Sequence, residues 1–286
     1  MGEKHNKSNI GSGTTTAENV GSSKAEAVVT YDFYNFTREE IKKDLAIREK
    51  EPWQINQSHT SLCGMAVVAF FYAKKEYEDY KQFVLDLHAY GKATSAAKYT
   101  VTTDTDKHLE VYKPGDGKYP PRMKPADFIL LTVLRDFQNG MFDYDPNGDD
   151  GGNISEGGAG FSIPSDVSKL MKGLIGLEVY DDTNIAVSVP TDKTIVSYLQ
   201  SIQTKLTNGY CIAMLINMDM LFNRKAFFTT PNHWIGIIDL DYDAKSKMVF
   251  IKSFTWGWNP EDKRNQPFRM SFDVFIDGCF GYIEGK

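Results

Sequence analysis

The chain has 286 residues, 41% hydrophobic and 13% aromatic, enough for one large domain or two small ones whose core needs no covalent staples. A net charge of −6 argues against nucleic acid as a partner, because phosphate binding wants a basic surface. Three cysteines, Cys63, Cys211 and Cys279, are too few and too odd a set for a disulfide framework; they fit a reducing compartment or a free reactive thiol.

Residues 1–27 are rich in Gly, Ser, Thr and Asn and read as a disordered tail. They contain no apolar run of a secretory signal, and Asn6 stands where an N-myristoylation motif wants Ser or Thr. No stretch approaches the length of a membrane span. The expectation is a protein made in the cytoplasm that leaves the cell, if at all, without a cleaved Sec signal. A first helix follows, with Thr37 as N-cap, Glu39 and Glu40 in its first turn, and Pro52 as its stop. From 61 to about 90, Met65, Val68, Ala69, Tyr72, Tyr80, Phe83, Val84 and Leu87 recur at helical spacing. That pattern predicts one long amphipathic helix, capped by Ser61 or Thr60 and with a candidate break near Glu76.

Residues 91–122 read as irregular, and "KPADFILLTVLRDFQN" as a helix with Pro125 in its first turn. The loop "DYDPNGDDGGNISEGGAG" begins like a calcium loop, with Asp143, Asp145, Asn147 and Gly148 in place, but Ile154 occupies the position of the bidentate acid. The loop also lacks the Lys-Ser/Thr of a phosphate loop, so a solvated acidic loop is expected. Helices are read at "SDVSKLMKGL" and at "DKTIVSYLQSIQTKLTNG", the latter closed by Gly209. Then "YCIAMLIN", "HWIGIIDLDY", "KMVFIKSFTW" and "GCFGYIEG" read as strands, with "DYDAKSK" as a hairpin connection. Helices first and strands last make the fold class α+β.

Cys63 stands where the polar loop "QINQSHTS" becomes an apolar run, on the expected first turn of a helix. There the dipole and unpaired N–H groups lower a thiol's pKa, and Gly64 leaves room for a substrate. The competing reading is a small core residue, which is how Cys211 and Cys279 are read. Among the five histidines, His233 opens a core strand after the turn "TTPN", a place that gives a general base fixed geometry and a near-neutral pKa. Gln57, six residues before Cys63, can donate its amide to an oxyanion together with the Cys63 N–H. Trp256 and Trp258 in "SFTWGW" can wall a histidine off from water. A zinc site of His59, Cys63 and His233 is a lesser alternative. The main expectation holds no metal and no cofactor.

In this order the pieces resemble the papain-like cysteine peptidases: Gln, six residues, Cys at the head of a long helix, a late His opening a strand, and a Trp-Gly on the next strand. The resemblance implies a papain-like domain over 28–286, with an N-terminal helical part and a C-terminal antiparallel sheet carrying the His. It implies Cys63 as nucleophile, His233 as base, Gln57 in the oxyanion hole, and Gly64, Trp234 and Trp256 around the substrate cleft. Phe254 stands where the family has its orienting Asn, so that role passes to Ser253, with Thr255, Asp239, a backbone carbonyl or no third group at all, which would leave a Cys–His dyad, as alternatives. "TSLCGMA", "FVLDL", "NHWIGI" and "TWG" further resemble toxin-type members from bacterial antagonism systems. Such effectors, delivered for example by type VI secretion, cut protein or peptide substrates and are neutralised by immunity proteins. A peptidoglycan amidase of the same fold and a catalytically dead binding module are the alternatives.

Overall fold

The computed structural model describes residues 31–120, 122–139, 144–147, 162–225, 230–255, 257 and 266–286; the expected tail at 1–27 lies outside them. Helix α1 (Arg38–Lys50) starts as its sequence dictates. The Thr37 hydroxyl accepts the Glu40 N–H, and the Glu40 carboxylate accepts the Thr37 N–H, a reciprocal capping box. Pro52 opens a short 3-10 turn immediately after it.

The single helix read over 61–90 is two. Helix α2 (Cys63–Lys75) and helix α3 (Tyr77–Tyr90) meet at Glu76, whose φ of −134° and ψ of 57° leave the helical path. The apolar stripe describes α3, but α2 buries every residue from Cys63 to Ala73, so no single face organises it. Neither Thr60 nor Ser61 caps α2; Leu62 is the N-cap and no side chain bonds there. Helix α3 ends on Gly91 at φ 58°, in the left-handed region that favours glycine. The stretch read as irregular holds a small hairpin, β1 (Lys92–Thr94) and β2 (Thr100–Thr102). Helix α4 (Pro125–Asn139) begins on the expected proline. Helices α5 (Pro164–Ile175) and α6 (Ile195–Thr207) follow.

The main sheet takes β3 (Val179–Asp181), β4 (Cys211–Ile216), β5 (His233–Asp243), β6 (Met248–Phe254), β7 (Phe268–Ser271) and β8 (Cys279–Gly285), with α7 (Phe272–Gly278) before β8. Their order is β3-β8-β4-β5-β6-β7, and every pairing is antiparallel. The fold is therefore α+β. The four strands read from sequence are all present; β3, β7 and α7 are too short for a periodic signal.

Strand alternation divides the sheet between two cores. Ala213, Leu215, Trp234 and Phe254 face the side of α1–α5, whereas Met214, Ile216, Ile235 and Ile237 face α6 and α7. On the first side α2 lies against β5 and β6. Phe70 stacks on Phe254 at 4.4 Å, and a side chain at Gly236 would come within 3.3 Å of Phe71. Burial of rings like these stabilises the fold by about 1.5–3 kcal/mol each. Between α1 and α4, Arg48 and Asp127 form a fully buried ion pair with Nη2–Oδ2 at 2.6 Å. Two histidines are structural: His88 is buried with Nε2 donating to the Phe36 carbonyl, and His108 sits between Asp106 and Asp136. Among the described residues no helix is long and apolar enough to cross a membrane.

Candidate active site

Cys63 is the first residue of α2 and is buried, with Sγ 3.8 Å from the Ser61 carbonyl. The loop before it is braced from within. The Gln57 amide donates to the Thr60 carbonyl at 2.7 Å, and the Thr60 hydroxyl donates to the Gln57 carbonyl at 2.6 Å. Asn56 donates its backbone N–H to Asp127 Oδ2, so the buried ion pair also anchors this loop.

Around the loop and first turn that carry Cys63, two further contacts join the helical half to the sheet half. The Trp234 indole N–H donates to the Ser162 carbonyl at 2.8 Å, and Ser162 packs on Gly64 so closely that a Cβ there would fall 2.5 Å from the Ser162 Cβ. Asn56 packs on Gly257, which has φ 69°. The neighbours of Cys63 thus meet a neighbour of His233 and the glycine of the Trp-Gly pair. Trp256 itself lies outside the described residues. Ser162 is fully buried, and its hydroxyl has no hydrogen-bond partner among the described residues.

His233 is the first residue of β5, opposite Ile216 of β4. Its ring is buried, and Nε2 lies 2.7 Å from Thr255 Oγ1. Thr255 is therefore the side chain that holds the imidazole, and the assignment to Ser253 is corrected. Ser253 pairs with Ile237, further along the strand, and its buried hydroxyl has no hydrogen-bond partner among the described residues. Asp239 does not share the histidine's face. A bulge between Ile237 and Asp239 shifts the register, so Leu240 continues the face of Ile237 and Asp239 is exposed. Burial pulls the His233 pKa down to about 3, not to the near-neutral value expected of a strand-end base. The resting imidazole is neutral. Its backbone register also places it with Ile216 and Ile235, whereas Trp234 points to the side of α2.

The sequence reading missed Arg135 and Ser162, and it named Asn56 only as a competitor of Gln57. Arg135 was signalled by a lone cation inside "FILLTVLRDF"; it is buried in α4 and bonded to Asp166 of α5 at 3.1 Å. His59 lines an open cleft of about 150 Å³ with Ser58, Thr60, Lys118 and Tyr119, beside the loop that leads to Cys63. Among the described residues no three His, Cys, Asp or Glu side chains gather as a metal site. Of the calcium-like loop, Asp143, Gly148 and Ile154 lie outside the described residues, and the Asp145 carboxylate accepts from Tyr112 and from the Asn147 N–H. Cys211 and Cys279 are buried free thiols, and burial pushes Cys279 up to about 12. No family model, no curated protein and no solved structure matches the chain.

Proposed function

We propose that the chain is a papain-like thiol hydrolase that cleaves amide bonds of a protein or peptide. One observation carries the reading: a buried histidine, fixed through Nε2 by Thr255, opens the strand whose next residue shares Ser162 with the first turn of the cysteine helix. In the proposed reaction Cys63 Sγ attacks the carbonyl carbon and its proton passes to His233 Nδ1, since Nε2 is engaged. The C–N bond then breaks, the proton goes to the departing amine, and water hydrolyses the thioester. The N–H groups of the first turn of α2 support the oxyanion, and Gln57 keeps a second amide N–H for the same task. A role in bacterial antagonism, with delivery by a secretion system and an immunity protein as partner, rests on the sequence resemblance alone.

A second reading has its own observation. The register of β5 directs His233 to the α6 side, which favours a binding module whose thiol and imidazole do not meet. The deciding experiment incubates the full chain with a proteome-derived peptide library and, separately, with muropeptides, and scores new termini by mass spectrometry. A hydrolase yields termini that vanish in Cys63→Ala and His233→Ala and persist in Cys211→Ala. No new termini, with Cys63 alkylated no faster than Cys211 and Cys279, establishes the binding module instead.

A further inference from the structure

His108 is held through both nitrogens of its ring. Nδ1 lies 2.8 Å from Asp106 Oδ1, and Nε2 lies 3.2 Å from the Tyr144 carbonyl oxygen and 3.6 Å from Asp136 Oδ1. The carbonyl and the two carboxylates are acceptors. A neutral imidazole has one N–H and serves only one side, whereas an imidazolium donates on both, so the geometry is that of the cation. His88 shows the other case: Nε2 is bonded to the Phe36 carbonyl, and the buried Nδ1 has no partner among the described residues.

The charges around the ring come from three segments. On the histidine's own loop, Asp104 is exposed, Lys107 is bonded to Asp32, and Glu110 is a buried carboxyl. The hydrogen bonds from His108 hold the Asp106 carboxyl below its ordinary pKa, so it is an anion. On α4, Asp136 faces Nε2, while Arg135 is bonded to Asp166. On the segment 144–147, the Asp145 carboxylate accepts from Tyr112. Burial alone would lower the His108 pKa; the bond to Asp106 and the charges of Asp136 and Asp106 outweigh it and leave it above 6.5. The ring also fixes a wall. Tyr144 is buried, donates its N–H to the same Asp136 oxygen at 2.9 Å and offers its carbonyl to Nε2. Pro146 and Asn147, just beyond it, line the cleft with Ser58, His59 and Thr60 on the approach to Cys63.

We propose that His108 is a pH-operated clamp: as an imidazolium it ties the segment 144–147 to α4 and so builds one wall of the His59 cleft, and on losing its Nε2 proton it lets that wall go. The remaining proton stays on Nδ1, where the shorter, charge-assisted contact to Asp106 lies. The Nε2 lone pair then faces the Tyr144 carbonyl and the Asp136 carboxylate, and the attraction becomes repulsion. Because the folded-state pKa lies above the unfolded one, the clamp contributes fully below about pH 6.5 and its contribution is lost as pH rises through the folded-state midpoint. The inference is independent of Cys63 and holds for a hydrolase and for a binding module alike.

The test titrates the full chain by NMR, reading the His108 ring nitrogens and the backbone amides of Tyr144 and Asn147. The ring is expected to titrate above 6.5, to keep its proton on Nδ1 when neutral, and to share its midpoint with both amides. Exchange protection of the Tyr144 N–H is read at each pH against His108→Ala, so that the intrinsic exchange rate cancels. Below the midpoint the wild type is better protected by about tenfold or more, as one hydrogen bond to a charged group provides; above it the two converge. Asp106→Asn, at an exposed position, lowers the ring and amide midpoints together. A ring midpoint at or below 6.5, a neutral ring that keeps its Nε2 proton, or amides that ignore the ring's titration each overturn the proposal. If His108→Ala does not fold, Asp106→Asn decides: midpoints that fall together sustain the clamp, and midpoints that separate or stay in place refute it.

Discussion

Gly64→Ala tests the joint between the cysteine helix and the sheet. The new Cβ would stand 2.5 Å from the Ser162 Cβ, 2.7 Å from its Oγ and 3.0 Å from Val167 Cγ2. Carbon atoms in contact prefer about 3.5–4.0 Å, so about 1 Å must be found. Ser162 is poorly placed to yield it, being fully buried with its carbonyl tied to the Trp234 indole. Overpacking of this kind costs about 1–3 kcal/mol, and alanine returns at most about 1 kcal/mol as the better helix former. Gly64 stands in the first turn, where alanine gains less than in a helix interior. The clash is therefore expected to outweigh that gain, with a net loss of up to about 2 kcal/mol in urea unfolding. Ser162→Gly deletes the opposing Cβ, so the double variant should be more stable than the two single losses imply, with a coupling of about 1 kcal/mol. Strict additivity, or a Gly64→Ala protein as stable as wild type, would show that Ser162 does not sit on this turn.

Two further outcomes follow from buried charge. Arg48→Met strands the Asp127 carboxylate and removes the anchor of the Asn56 loop, so it should cost about 3–5 kcal/mol. Arg48→Met combined with Asp127→Leu should recover most of that in the same urea assay; a double variant no more stable than the single one would contradict the pairing. His233 titrates near 3 in the folded chain and near about 6.5 when unfolded. Between those values the unfolded state holds the extra proton, so folding stability falls as pH drops, by about 1.4 kcal/mol per unit. The wild type should therefore lose stability toward acid more steeply than His233→Asn, and parallel curves would show that the imidazole is not buried neutral.

Much of this architecture was readable, for physical reasons that differ by element. Thr37 and Glu40 announce a helix start through local hydrogen bonds, and β5 and β6 announce themselves through β-branched runs around a turn. The break at Glu76 was marked only faintly, because α2 is apolar all round and its residues do not disclose where a face ends. At the site, Cys63 and His233 were visible by residue type and position. Thr255, Ser162 and Asn56 become meaningful only through contacts between residues far apart in sequence. The choice of Thr255 over Ser253 is a matter of which of two alternate hydroxyls comes within reach of the His233 ring, and Asp239 was displaced by a bulge that no pattern announced.

The topology also orders events in time. Helix α2 is synthesised early, but the strands that cover it begin at Cys211, and β3 has no partner until β8 arrives to lie between it and β4. Contacts between such distant segments slow folding, because the loops they close must be ordered first. Until then the nascent chain displays "CGMAVVAFFYA", a segment without a polar face, to anything that captures apolar peptide. The arrangement that seals the thiol in the finished protein thus makes the growing chain a natural client for chaperones, and makes its refolding slow and sensitive to concentration.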